Sequence, residues 1–154
     1  MAVQKLLVPY NFTLQDKKAL DFVIKNFAKD REASVALFHA YTALPEIKIS
    51  NSEVTSKLRE NMSYLGQKIS EQERELDRAR EYLVRNGFSA ENVKCVFKPR
   101  KKEVAAEILD YCRNEKADII VLNRQSGGIK RFFTGNVFHK VVEGAKGITV
   151  TIVS

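Results

Sequence analysis

The chain has no tryptophan, two cysteines, two histidines, three prolines and seven glycines in 154 residues, and each shortage excludes something. Two cysteines cannot make the disulfide framework of a small secreted scaffold. Cys95 and Cys112 also lack CxxC spacing and a neighbouring histidine, so they do not read as zinc or redox ligands. They fall on a predicted strand and a predicted helix and read as inert, buried thiols. The low glycine and proline content excludes collagen-like and low-complexity chains. No apolar run approaches the roughly 20 residues that a membrane-spanning helix needs. The stretch from Met1 to Phe12 is too short in apolar residues for a signal peptide and runs straight into a strand-like segment. A cytoplasmic protein with no membrane partner is therefore expected.

What is present fits a soluble α/β domain. The chain is 44% apolar and 29% charged, and its length suits one domain over residues 1–154. A chain of this size buries roughly 68–70% of its unfolded surface, so it needs no metal or disulfide staple. The net charge is +7. The basic residues are spread out, apart from a cluster at Lys98, Arg100, Lys101 and Lys102 and a pair at Lys130 and Arg131. No aromatic-interleaved basic pattern or helix-turn-helix pattern accompanies them, so no specific nucleic-acid partner is expected. A basic surface favours anions in general.

Hydrophobic periodicity places the elements. Lys5 to Tyr10, Ser34 to Tyr41, Val93 to Lys98, Asp118 to Leu122 and Ile148 to Val153 read as five strands, several of them continuous apolar runs of the kind buried on both faces. Ala19, Leu20, Val23, Ile24 and Phe27 give the first helix an apolar face, and Thr13 with Asp16 resembles a capping box opening it. Residues 42–51, with Pro45, read as a loop. Leu58, Met62, Leu65, Ile69, Leu76, Ala79 and Leu83 predict a long helix over residues 52–86. It is ended by Gly87, and its length allows part of it to project or pack against another subunit; the favoured expectation is a kinked helix lying across the sheet, with Gly66 its weak point. Val104, Ala105, Ile108, Leu109 and Cys112 mark a third helix, and residues 132–143 a fourth. Strands alternating with helices imply right-handed βαβ crossovers and a parallel sheet covered on both faces. Such sheets bind ligands beyond the carboxyl ends of the strands, where the strand order reverses.

Five of the seven glycines lie in the last 28 residues. The segment from Asn123 to Asn136 follows a strand and leads into a helix. Glycines there let backbone N–H groups turn toward an anion, and the helix N-terminus adds partial positive charge. Neither GxxxxGK[ST] nor GxGxxG is present, which excludes the standard P-loop and dinucleotide fingerprints. By spacing alone the segment is either an anion-binding turn or a tight loop.

The run from Asp118 to Val137 resembles the C-terminal signature of the universal stress protein family, within the adenine-nucleotide α-hydrolase-like superfamily. Lys5 to Pro9 is similar to that family's first strand, Leu37 to Ala40 to its second, and Ile148 to Val153 to its last. The resemblance implies a three-layer α/β/α, Rossmann-like, doubly wound fold with a five-stranded parallel sheet in the order 3-2-1-4-5. It also implies a homodimer through residues 148–153.

Nucleotide-binding members of the family carry Gly-x2-Gly-x9-Gly-[Ser/Thr] after the fourth strand. Here the first glycine aligns with Asn123 and the second with Ser126 or Gly127. Only eight residues lie between Ser126 and Gly135, and the closing pair is Gly135-Asn136. The family's first-strand aspartate aligns with Asn11. Carried over position by position, base and ribose would meet Pro9, Asn11, Ala40 and Leu122. Phosphates would meet Asn123, Ser126, Gly127, Gly135, Asn136 and Val137.

The resemblance thus implies a stress-response module that binds ATP or another adenine nucleotide, with Mg when ATP is bound. A nucleotide-free, dimeric interaction protein on the same fold and a weak nucleotide hydrolase stay open beside it. No nucleophile, base and orienting group can be assembled from the sequence, so neither catalytic residues nor a protein metal site are expected. His39 reads as structural, His139 as facing phosphate or solvent.

Overall fold

The computed structural model describes residues 4–44, 53–124 and 131–154, with 53–55 and 131–136 as helical backbone only. The elements alternate: β1 (Gln4–Pro9), α1 (Asp16–Phe27), β2 (Ala33–Tyr41), α2 (Glu53–Arg85), β3 (Val93–Pro99), α3 (Val104–Glu115), β4 (Ile119–Asn123), α4 (Arg131–Gly144) and β5 (Thr149–Val153). The five strands form one parallel sheet in the order β3-β2-β1-β4-β5. This is the expected three-layer, Rossmann-like architecture. The strand order reverses between β1 and β4, which places a crevice beyond their carboxyl ends.

Side chains alternate across the pleated sheet and so divide into two cores. Leu6 and Val8 of β1, Val35 and Leu37 of β2 and Val121 of β4 face α1 and α2, where they meet Ala19, Val23, Leu76 and Leu83. Leu7, Ala36, Phe38, Ala40, Ile120 and Leu122 face α3 and α4, where they meet Ala105, Ile108, Cys112 and Val141. Both faces of β1, β2 and β4 are therefore buried, which is why these strands read as continuous apolar runs. Pro9 and Pro99 are the last residues of β1 and β3. Pro45 lies outside the described residues.

Three local expectations meet different outcomes. The long helix runs unbroken through Gly66, its expected weak point. Its apolar face is covered only in the second half. Leu76, Ala79 and Leu83 are buried, whereas Leu58 and Leu65 are 37% and 42% exposed. The sheet is only as wide as its strands, so a 33-residue helix overhangs it and the first half projects instead of lying across it.

The C-terminal stop follows the sequence reading. Gly87 takes φ +120°, its N–H donates to Val84 O and that of Phe88 to Leu83 O. This is the Schellman arrangement, and the accompanying apolar contact partners Phe88 and Leu83 are both buried.

The capping box at Thr13 forms only by half. The Asp16 carboxylate accepts the Thr13 backbone N–H at 2.7 Å, but Thr13 Oγ1 finds no partner among the described residues. The residue before the helix is Gln15, which makes no side-chain cap.

Two of the four cations of the basic cluster are paired with carboxylates. Lys98 lies 3.3 Å from Glu107, Lys102 lies 2.7 Å from Asp110, and Arg100 donates to Thr42 Oγ1. Cys112 is buried and Cys95 half-buried, both free. Burial is the main cause that pushes each thiol up to about 11, so neither is a nucleophile at neutral pH.

Candidate functional site

Beyond the carboxyl ends of β1, β2 and β4 lies a cavity of about 210 Å³. Pro9, Tyr10 and Asn11 close it from the end of β1, Phe38, His39 and Ala40 from β2, and Leu122 and Asn123 from β4. Val104 and Ile108 of α3 and Val137 and Phe138 of α4 complete the wall. Six of the ten expected site residues, Pro9, Asn11, Ala40, Leu122, Asn123 and Val137, thus meet around one space. Val137, carried over as a phosphate contact, lines the same cavity as the base contacts. Gly135 and Asn136 lie in α4, immediately before Val137. Ser126 and Gly127 lie outside the described residues, as does Lys130. His139 is exposed to solvent. Sequence reasoning did not name Tyr10, Phe38, His39, Val104, Ile108 or Phe138 as lining. All except Asn11, Asn123 and His39 present mainly carbon, as small-ligand sites do.

A second, larger cavity of about 680 Å³ adjoins the first and shares His39, Ala40, Val104 and Val137 with it. Its apolar lining includes Tyr41, Leu65 and Ile69, and its charged lining Lys68, Arg100, Glu103 and Lys140. Lys140 is paired with Glu103 at 2.6 Å.

The polar side of the smaller cavity is organised by a residue behind it. Asp16 is 1% exposed. Its carboxylate accepts the backbone N–H of Asn11 at 3.2 Å and of Thr13 at 2.7 Å, and the side-chain amide N–H of Asn123. Phe12, between the two backbone donors, has φ 61°, a left-handed conformation that costs a non-glycine residue roughly 1–2 kcal/mol. The turn it makes directs flanking N–H groups to one point, the geometry of an anion-binding nest. Burial raises the Asp16 pKa, and the hydrogen bonds from Thr13, Asn11 and Asn123 pull against it. The Asn123 amide is oriented by this contact: its N–H₂ end serves the carboxylate, and Oδ1 is buried with no partner among the described residues.

His39 sits in an aromatic ladder. Its ring packs edge-on against Phe12 at 4.6 Å and is stacked on Phe97 at 5.8 Å. Nδ1 lies 2.8 Å from Tyr10 O. A carbonyl only accepts, so Nδ1 carries the proton and the neutral ring keeps Nε2 as an acceptor. Burial lowers the pKa, outweighing the carbonyl contact, which agrees with a neutral ring. Tyr10 is pushed up to about 12, by burial first and then by Asp16 and Glu75, so its hydroxyl stays protonated. Asp118 accepts the Lys5 backbone N–H at 2.8 Å at the opposite end of the sheet, away from the cavity. Among the described residues no cluster of His, Cys, Asp and Glu could hold a metal ion.

The universal stress protein family model matches residues 2–154. The chain belongs to the universal stress protein family. That family lies within the adenine-nucleotide α-hydrolase-like superfamily. Among solved structures, the chain is similar to a universal stress protein from Archaeoglobus fulgidus in complex with dAMP, at 17% identity and a TM-score of 0.64, over 100% of both chains. It is also similar to a universal stress protein in complex with cAMP, at 16% identity and a TM-score of 0.65, over 99% of this chain and 98% of the other. A third, from Burkholderia pseudomallei, shares 18% identity at a TM-score of 0.62, over 98% and 96%. No curated protein sequence matches. Among the described residues no helix is long and apolar enough to cross a membrane.

Proposed function

We propose that this universal stress protein is a cytoplasmic, non-catalytic stress-response module that holds the adenine end of an adenine nucleotide in the cavity beyond β1, β2 and β4. One observation carries the reading: residues far apart in sequence, from Pro9 to Val137, converge on an apolar space of about 210 Å³ at the switch point of the sheet. That volume suits a base better than a whole nucleotide, since pockets for drug-sized ligands run from about 300 Å³ upward. The complexes of two similar proteins with dAMP and cAMP support the ligand class. ATP, with Mg on its phosphates, is one member of that class.

The non-catalytic part rests on the polar groups present. Asp16 is enclosed by donors, so it is not placed as a base toward an attacking water. A homodimer through residues 148–153 is part of the proposal. β5 is an edge strand, and Ile152 on it is 45% exposed.

Thermal unfolding with and without adenosine, AMP and MgATP tests the ligand. At about 100 times its dissociation constant, a ligand stabilises the native state by roughly 2.7 kcal/mol. Filling the cavity with Ala40→Phe should remove that shift. If no member of the series moves the midpoint at millimolar concentration, the nucleotide-free reading replaces this one. Phosphate release above background would instead establish a hydrolase.

A further inference from the structure

The overhang of α2 walls a space that the sheet alone leaves open. Past the ends of β2 and β3, Leu65, Lys68, Ile69 and Gln72 of α2 share the lining of the larger cavity, about 680 Å³, with Arg100, Val104 and Lys140. Leu44 and Leu65 are 36% and 42% exposed, and both line this cavity, so part of their exposed carbon is cavity wall. Leu44 Cδ1 would stand 3.9 Å from a Cβ added at Gly66, which brings the chain after β2 against the helix. The charges in the lining are lopsided: Lys68, Arg100 and Lys140 face one acid, Glu103. That acid is taken up by Lys140 at 2.6 Å, and Lys140, then Arg100, hold its carboxyl below the usual range. Arg100 gives Nε to Thr42 Oγ1 at 3.1 Å. Among the described residues neither Arg100 nor Lys68 is paired with a carboxylate. The two Nη groups of the guanidinium remain as a fork that matches a carboxylate.

The two parts of this lining call for different chemistry in one ligand. Tyr41, Leu44, Leu65, Ile69 and Val104 gain from an apolar body, and the surplus cations gain from an anion. A bare phosphate chain would leave the carbon wall uncovered, and a neutral hydrocarbon would bring no countercharge. We propose that the larger cavity binds an amphipathic monoanion, a medium-chain carboxylate with its acyl chain against Leu65, Ile69 and Val104 and its head on the Arg100 guanidinium. The volume lies within the roughly 300–1,000 Å³ of small-ligand sites. Leu65, Lys68, Ile69 and Arg100 do not border the smaller cavity, so the proposal stands apart from the adenine reading and either can fail alone.

Isothermal titration of the full chain with octanoate, butyrate, octan-1-ol and inorganic triphosphate is the test. Octanoate should bind on the order of a hundredfold more tightly than butyrate, since each buried CH₂ contributes roughly fourfold. It should also bind at least about tenfold more tightly than octan-1-ol, the share of a hydrogen bond to a charged group. Arg100→Gln, checked for native circular dichroism, should weaken octanoate and leave octan-1-ol unchanged. Leu65→Trp, at an exposed helix position, should block both by filling the cavity. Octanoate failing to bind at millimolar concentration, or binding no better than butyrate or octan-1-ol, would overturn the proposal. Triphosphate binding more tightly than octanoate would overturn it too and make the cavity a polyanion site. Undiminished octanoate binding in a folded Leu65→Trp protein would refute the location. The ligand series in the unaltered protein decides the ligand class whether or not either variant folds.

Discussion

The projecting half of α2 can be tested against its packed half by two leucine truncations on the same helix. Leu83 is fully buried in the core between α1, α2 and the sheet and belongs to the apolar contact of the helix stop. Truncating it to alanine removes three buried carbon groups and leaves a void against β-sheet side chains that are themselves fixed. Leucine-to-alanine changes in such places cost about 2.7–5 kcal/mol. At roughly 2–4 °C per kcal/mol for a chain of this length, Leu83→Ala should lower the unfolding midpoint by about 5–20 °C. Leu65 occupies an equivalent position on the apolar stripe but is 42% exposed, so Leu65→Ala should cost no more than about 0.5 kcal/mol. Circular dichroism melts at two protein concentrations tenfold apart provide the measurement. A loss at Leu65 equal to that at Leu83, independent of concentration, would show that the first half of α2 packs on its own chain and would refute the description given above. A loss at Leu65 that grows on dilution would place that half in an interface between copies.

Three further outcomes follow from single residues. Gly87→Ala should destabilise by about 1–3 kcal/mol in urea unfolding, because φ is +120° and the new Cβ would approach Ala28 Cβ at 3.3 Å; a neutral result would mean that the helix stop relaxes freely. The Asp16 pKa is raised in the fold from its ordinary 3.8, by burial above all. The native state therefore binds that proton more tightly than the unfolded chain, and the associated stability is lost as pH rises from about 3.8 through the folded value. The stability of the unaltered protein minus that of Asp16→Asn should accordingly fall as pH rises from about 4, and a difference that rises instead would mean that the three donors outweigh desolvation. Ile152→Lys should convert the proposed β5-mediated dimer to monomer in sedimentation velocity; an unaltered sedimentation coefficient would refute β5 as the interface.

The strands of the sheet were legible because the signals that specify them are local or nearly so, whereas their order came from the family resemblance. β1, β2 and β4 are buried on both faces and must be continuous apolar runs, and Gly87 has to be a residue that accepts positive φ. Each of these leaves a mark within a few positions of its cause. The position of α2 over the sheet left no such mark. Its apolar residues recur at the same spacing in both halves, and the sequence holds nothing that distinguishes a stripe covered by its own sheet from one left exposed. Only the length of the strands relative to the helix decides that, and it is a property of the assembled fold.

The site shows the same division more sharply. Family correspondence placed six residues around one cavity because backbone position at strand ends follows from topology, not from side-chain identity. It could not interpret Asp16, whose nearby partner Thr13 gave it the local pattern of a helix opener. The partner that gives Asp16 a second role, Asn123, lies 107 residues away. Taken one at a time, Asn11 in place of an aspartate and Asn123 in place of a glycine look like independent losses from a nucleotide site. In the fold the Asn11 backbone N–H and the Asn123 side-chain amide are two of three donors to the buried Asp16 carboxylate, so only the residue at 123 contributes through its side chain. A glycine at 123 would leave that carboxylate without its amide partner. Asn123 and Asp16 therefore act as one unit, joined across the strand end.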